Sequence, residues 1–484
     1  MARLAPASTR GSFAATFAVT CFIFCHQACA QALGGGGGEG TNDNADDYPI
    51  PATAGQSYSP IREGFTTPID ARADLKGPTH YADERAAALK MARQGEAPFF
   101  RDTEIKLNSR SYWFAEDTFG LAKPEALTSG GWISYRSGYL GDTLKLSGTL
   151  YTSQPLDAPA DAGDTLNLTL DGDQITTLGQ ANVGVRLLGQ EITAGRELVR
   201  TPYINPNDSR MIPLTFEGVV LLPAAGKDPH LDYIASYLWR YKPRDRDDFV
   251  PFTEALGVKE DEGVLISGVH YRGAAYNLGV VNYWIKDAMN TAYGEADYTF
   301  RFGGRRDGLE LRFGVNDIDQ RSVGAELIPG SPFATYQASA RAIMSYRGFV
   351  LTGAVSEVGR EAELRKPYGW SPAYTAMMIS SFQRAGEFGA LARLSYDFSR
   401  IGLDGLAFYV SLGRGTGAID PASGASLPDR NEVDIRLEYE PHGGTLEGLR
   451  VQLDYIDEDL IGNPTPSGDL TQFRASVNYL VPLL

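Results

Sequence analysis

Segments of this chain alternate apolar and polar residues with a two-residue period, and the polar side repeatedly carries an arginine. Phe473, Ala475, Val477 and Tyr479 alternate with Arg474, Ser476 and Asn478. Val433, Ile435, Leu437 and Tyr439 alternate with Asp434, Arg436 and Glu438, and Leu449, Val451, Leu453 and Tyr455 with Arg450, Gln452 and Asp454. Successive side chains of a strand face opposite sides of its sheet, so each segment predicts a strand with one apolar and one charged face. A soluble sandwich turns its polar face outward and needs no arginine at matching depth. A membrane β-barrel does the reverse, with apolar side chains toward lipid and polar ones toward a wet lumen. The pattern therefore predicts an all-β fold: a transmembrane antiparallel barrel of about 18 strands over residues 99–484, from a first strand at 103–116 and a second at 129–140 to a last at 470–481. Short Gly-, Asp- and Asn-rich turns at one end and longer loops at the other place both termini on the periplasmic side.

The N-terminus predicts export. Arg3 and Arg10 form a basic region, Phe13 to Phe24 an apolar one, and Ala28-Cys29-Ala30 a small-residue cleavage site, so residues 1–30 read as a signal peptide. Ala32 offers an adjacent alternative cleavage point. A lipoprotein signal is the rival, but His26 stands where a lipobox has Leu. Cys21, Cys25 and Cys29 all fall within 1–30, which leaves the mature chain without a thiol nucleophile, a disulfide or a cysteine metal ligand. Beyond it no run approaches the ~18 consecutive apolar residues of a spanning helix. Residues 31–98 combine a glycine run (Gly34 to Gly38), an acidic patch (Asn42 to Asp47) and proline-containing coil, and read as a flexible periplasmic extension with a short helix over Tyr81–Gln94.

Composition changes the picture in one respect. Removing 1–30 takes away Arg3 and Arg10 and no acid, so the formal charge of −16 becomes −18 in the mature chain, and nucleic acid is not an expected partner. The strands' polar faces are nevertheless basic. Carrying the alternation through each strand turns Lys106, Arg110, Arg136, Lys145, Arg186, Arg301, Arg312, Arg341, Arg393, Arg436, Arg450 and Arg474 inward. The reverse assignment would put arginines in lipid at ~2–4 kcal/mol each near the midplane. Glu295, Asp297, Glu310, Asp434, Glu438 and Asp454 face inward among them. Two readings of each arginine stay open: a bidentate site for a passing carboxylate, or a partner for a neighbouring acid that braces the wall.

Four stretches carry a family resemblance. Arg200-Thr-Pro-Tyr-Ile-Asn-Pro-Asn207-Asp208-Ser-Arg210-Met-Ile-Pro213, running into Thr215-Phe-Glu-Gly218, resembles the third-loop signature of OprD-type outer-membrane porins. Leu107-Asn-Ser-Arg110-Ser-Tyr-Trp-Phe114 is similar to that family's first strand. Ser381-Phe-Gln-Arg384-Ala-Gly-Glu387 with Leu394 to Phe398 and Gly405 to Phe408 follows its seventh loop and next hairpin, and Tyr479 to Leu484 its tail. Ser411 departs from the pattern, in a strand where another inward base is expected. The resemblance implies a monomeric barrel in the outer membrane, among lipid and lipopolysaccharide, for substrate-selective passive diffusion without a cofactor or metal. It also implies a third loop folded into the lumen and a ladder of basic residues that guides carboxylate-bearing solutes.

Within that third loop, Pro202, Pro206 and Pro213 stiffen the backbone. Asn205, Asn207, Asp208 and Ser209 suit Asx and Ser turns. Arg200, Tyr203, Asp208 and Arg210 are the candidate solute contacts, and an arginine beside an aspartate suits either a zwitterion or a self-contained salt bridge. The expected solutes are small anions or zwitterions, monocarboxylates foremost and amino acids second. Two other classes compete with this reading: a structural or adhesive barrel with a plugged lumen, and a barrel hydrolase. The second lacks a Gly-x-Ser-x-Gly elbow, and His80, His230, His270 and His442 have no motif context. No His, Cys and carboxylate cluster has metal-ligand spacing.

Overall fold

A computed structural model describes residues 88–119, 123–159, 162–224, 230–303, 308–330, 332–441, 446–462 and 469–484. The expected signal peptide and most of the expected extension lie outside the described residues; of the helix expected over Tyr81–Gln94, residues 88–92 are described and helical. The wall begins with β1 (Glu104–Thr118), β2 (Glu125–Arg136), β3 (Leu144–Asp157), β4 (Ile175–Leu187), β5 (Gln190–Glu197), β6 (Thr215–Pro223) and β7 (Leu231–Lys242). A two-residue strand, β8 (Val250–Pro251), pairs with the end of β7 inside a loop and is no part of the wall. The wall continues with β9 (Val264–Arg272), β10 (Tyr276–Ile285), β11 (Met289–Phe302), β12 (Leu309–Ser322), β13 (Ala334–Tyr346) and β14 (Phe349–Val358). It ends with β15 (Phe388–Asp397), β16 (Leu406–Thr416), β17 (Asp429–Tyr439), β18 (Leu449–Ile461) and β19 (Leu470–Pro482). Each strand is antiparallel to its neighbours, and β19 pairs with β1 from Lys106↔Pro482 to Thr118↔Leu470. Leu483 and Leu484 extend that seam with backbone bonds to Ile105. Eighteen strands close on themselves, which leaves no sheet edge exposed to lipid.

The two-residue period sets which side chains face out. Val280 (61% exposed), Leu412 (56%) and Phe313 (49%) belong to an apolar outer band, whereas Asn316, Arg341 and Asp454 on the inner face are under 9% exposed. At the turn end, the ring pairs Tyr271–Tyr276, Tyr298–Phe300 and Phe349–Tyr396 pack with centroids 5.8, 4.6 and 4.3 Å apart, as a girdle at the membrane interface requires. Two-residue turns such as Leu188-Gly189 and Arg347-Gly348 have positive φ at both positions, the hairpin geometry that matches strand twist. The second strand runs four residues earlier than expected. Ser137 N–H still bonds the Leu146 carbonyl, but Leu146 N–H turns to the Ser137 hydroxyl and Gly138 N–H to the Phe99 carbonyl, so the ladder ends at Ser137. The loop end also holds one short connection, residues 286–288, between β10 and β11.

Two inward glycines let charges pair across an intervening strand. Asp297 on β11, Gly314 on β12 and Arg341 on β13 are register partners in a row. Arg341 Nη2 reaches Asp297 Oδ1 at 2.6 Å over the glycine, with the two side chains 3% and 1% exposed. A Cβ on Gly314 would sit 2.4 Å from that oxygen and 3.0 Å from Arg341 Nε. Lys145 on β3 likewise lies over Gly184 on β4 and bonds Glu191 on β5. Replacing Gly314 by Val should split a buried ion pair, a loss of ~3–5 kcal/mol. The temperature at which the heat-modifiable band converts on unboiled gels should fall well below that of the parent barrel; an unchanged conversion temperature would show that the pair relocates without loss.

Candidate functional site

The segment 198–214, between β5 and β6, touches inner-face side chains of three distant strands. Arg110 of β1 holds Asp208 through both carboxylate oxygens, at 2.6 and 3.1 Å, and also donates to the Arg210 carbonyl at 2.7 Å. Tyr112 Oη donates to the Ser209 carbonyl at 3.1 Å, and the Arg210 guanidinium lies 4.7 Å from the centre of the Phe114 ring. Tyr203 N–H donates to Tyr283 Oη of β10, and Gln320 of β12 donates to Tyr203 Oη, both at 3.1 Å. The turns within the segment form as its asparagines suggest: Asn205 Oδ1 accepts from Asn207 N–H, and Ser209 Oγ donates to Asn207 Oδ1. Asn205 also exchanges bonds with the Trp370 backbone, tying the segment to the connection 359–387.

That second connection is itself enclosed. Residues 371–378 and 380–383 are all buried. Met378 N–H donates to Asp434, and Ile379 and Ser380 N–H to the two oxygens of Glu432 at 2.8 and 2.6 Å. Gly413 and Gly415 of β16 make room for it: a Cβ on the first would sit 2.0 Å from Met377 Sδ, and on the second 2.6 Å from the Phe382 ring. Nothing in the strand period marks this segment, because its anchoring acids follow the same alternation as any inward residue.

The twelve inward bases divide unequally. Nine lie within 4 Å of a carboxylate: Lys106 and Arg136 share Glu104, Lys145 has Glu191, Arg110 has Asp208, Arg301 and Arg312 share Glu310, Arg341 has Asp297, Arg436 has Asp454, and Arg450 has Glu438 and Glu440. Arg186 is stacked on the Tyr139 ring at 4.0 Å. Arg393 donates to the Ser411 hydroxyl at 2.6 Å, which gives that departure from the family pattern a role: Ser411 is the cross-strand partner of Arg393. Arg474 donates to Gln472. Glu104, Glu191 and Glu440 are partners that the alternation alone did not single out, since Glu104 and Glu191 lie at strand starts and Glu440 just past the end of β17.

Of the four residues singled out in the segment 198–214, Tyr203 is 3% exposed and packs among Tyr283, Phe216 and Tyr368, whereas Arg200 and Asp208 line a cavity of about 70 Å³. Glu104, Lys106, Arg136, Trp132, Tyr135 and Tyr151 also line it. Arg210 donates to the Thr165 and Ser209 carbonyls, both at 2.9 Å. Burial raises the Asp208 carboxyl, but the Arg110 guanidinium, with Arg200 and Arg450, outweighs it and holds Asp208 below the usual carboxylate range. The cavity thus brings together three cations, two carboxylates that are each already ion-paired, Asp208 with Arg110 and Glu104 with Lys106 and Arg136, and three aromatic side chains.

Solved structures share this architecture. The Pseudomonas aeruginosa porin OpdK, crystallised with vanillate, is 23% identical, with a TM-score of 0.70 over 79% of this chain and 100% of its own. A BenF-like porin from Pseudomonas fluorescens Pf-5 gives 17% and 0.72, over 80% and 100% of the two chains. OccAB2 of Acinetobacter baumannii gives 18% and 0.71, again over 80% and 100%. At these identities the likeness is one of fold. No curated protein matches the sequence. The model of the outer membrane porin family OprD matches residues 97–483, nearly the whole described barrel, and the chain belongs to that family of outer-membrane porins.

Proposed function

We propose that this porin passes small carboxylate-bearing solutes, amino acids among them, by passive diffusion, with the segment 198–214 narrowing the lumen. The observation that carries the reading is the Arg110–Asp208 contact, which joins wall to segment beside the cavity lined by Arg200, Lys106 and Arg136. Arginine suits the task because its guanidinium is always charged, weakly hydrated and able to hold a carboxylate by two parallel bonds. Trp132 and Tyr151 add flat apolar faces for the body of such a solute, and the Arg110 guanidinium is already 4.8 Å from the Trp132 ring. Vanillate, the molecule present in the OpdK structure, is itself a carboxylate on an aromatic ring. Transfer between several moderate sites lets a solute leave as readily as it enters.

The pairing of Arg110 with Asp208 makes the expected outcome directional. Arg110→Gln leaves the Asp208 carboxylate uncompensated, so carboxylate uptake into proteoliposomes should fall severalfold and the reversal potential should move toward cations. Asp208→Asn releases the guanidinium and should move both the other way; the double variant should lie between. Identical uptake and ion selectivity in all three would assign the pair to bracing alone.

Acidity gives a further check on the same residue. A carboxyl with a depressed pKa keeps its charge at and above the ordinary value of ~3.9 and loses it only as pH falls through the lower one. The difference in reversal potential between the parent and Asp208→Asn should therefore be the same at pH 7 and pH 5. A difference that vanishes by pH 5 would mean that Arg110 does not hold Asp208.

A further inference from the structure

Of the described guanidiniums with no carboxylate within 4 Å, which include Arg186 on the Tyr139 ring and Arg365 on the Phe333 ring, three lie together. Among the described residues Arg210, Arg244 and Arg474 have no carboxylate within 4 Å, and every acceptor they bond is neutral. Arg210 bonds two carbonyls, Arg244 Nη1 donates to Ser209 Oγ at 2.7 Å, and Arg474 Nε donates to Gln472 Oε1 at 2.6 Å. They come from separate parts of the chain: the segment 198–214, the loop 243–263 and strand β19. Two contacts bring them together. Ser209 accepts from both Arg210 and Arg244. Phe114, beneath the Arg210 guanidinium, is the cross-strand partner of Arg474.

Arg210 and Arg474 are 7% and 6% exposed. Buried charges are ordinarily paired, because removing them from water costs several kcal/mol that only an opposite charge restores. These three repel one another instead. Burial, and after it the Arg474 guanidinium, lowers Arg244 to about 10. The same two causes lower Arg210 to about 9, with Arg244 adding to them. Both stay protonated at neutral pH, so the repulsion is not relieved by losing a proton. The acids that face the group are Asp208, already held by Arg110; Asp245, next to Arg244 in the chain; Asp454, the cross-strand partner of Arg474, already held by Arg436; and Asp434, which accepts from Met378 N–H. Arg244 Nη2 and both Nη atoms of Arg474 have no acceptor among the described residues.

We infer that Arg210, Arg244 and Arg474 form a station for one small divalent oxyanion, a dicarboxylate or a phosphoryl group, and that the pore prefers such solutes to monocarboxylates. This rests on the porin reading above and sharpens it. One negative charge leaves two guanidiniums of the three uncompensated, and two negative charges leave one. With an effective dielectric near 20, the second charge at contact distance is worth a few kcal/mol before its own dehydration, enough for roughly tenfold discrimination.

The test uses the full-length protein in planar bilayers, at constant ionic strength in chloride, titrated separately with acetate, succinate and inorganic phosphate at neutral pH. Succinate, phosphate or both should interrupt the current at concentrations ~tenfold below acetate. Succinate acting alone identifies a dicarboxylate station, phosphate alone a phosphoryl one, and both a general oxyanion one; each supports the assignment. Arg244→Gln, whose side chain has a single hydrogen bond to lose, should bring the ratio to within about twofold, and Arg244→Lys should retain a preference for the divalent anion. Heat-modifiable mobility reports that each variant is folded. Equal effects of acetate and succinate with phosphate silent, or a ratio unchanged in Arg244→Gln, overturn the station while leaving carboxylate passage intact. Failure of the parent barrel to take up any carboxylate would instead defeat the porin reading itself.

Discussion

Arg341 reaches Asp297 across a whole strand, and it can do so because Gly314 lies between them. Compensation of charge on the inner face is the constraint on which the rest of this barrel depends. A guanidinium pointed outward meets lipid, and one pointed inward but packed against protein loses much of its hydration. Most of the inward bases therefore take an acid from a neighbouring strand, from the next strand but one, or from a loop. Arg436–Asp454 solves this between direct cross-strand partners, Lys145–Glu191 over Gly184, and Arg110–Asp208 by drawing the segment 198–214 against β1. The same demand fixes the connection 359–387, whose N–H groups occupy the carboxylates of Glu432 and Asp434.

The strand period made the barrel legible. Alternation alone gave eighteen wall strands, their inward faces and the closing role of 470–481, because a register slip of one residue would turn arginines into the membrane. It was less informative about strand ends, as β2 shows, since the Ser137 hydroxyl and Gly138 N–H end the ladder through contacts no local pattern reveals. Among the bases, period told direction but not partnership. Glu104 and Glu191 sit at strand starts, and their ion pairs depend on register and shear between strands rather than on sequence spacing. Gly184 and Gly314 read as ordinary small residues until the side chains crossing them are seen. Arg244 was invisible for a simpler reason: it lies in a loop, where no periodicity assigns a direction.

Pairing alters what the excess of inward bases means. Bases outnumber the inward acids read from the strand period, but Glu104, Glu191, Glu440 and Asp208 bring the wall closer to balance. The positive potential is then concentrated where guanidiniums meet neutral acceptors, around Arg210, Arg244 and Arg474, rather than spread evenly along a ladder. The formal charge of −16 does not contradict this, because charges beyond a Debye length, ~8 Å at physiological salt, contribute little to the field inside a pore. The proposed selectivity is local, set by a few uncompensated side chains held by a wall whose other charges are mostly paired.

The most direct test of that local selectivity is the reversal potential of the unaltered pore across a potassium chloride gradient, measured from about 10 mM to 1 M salt. Uncompensated guanidiniums predict chloride selectivity at low salt, where the Debye length is ~30 Å, fading as it shrinks to ~3 Å. Cation selectivity at low salt would contradict this, because acidic groups rather than unpaired guanidiniums would then govern the lumen.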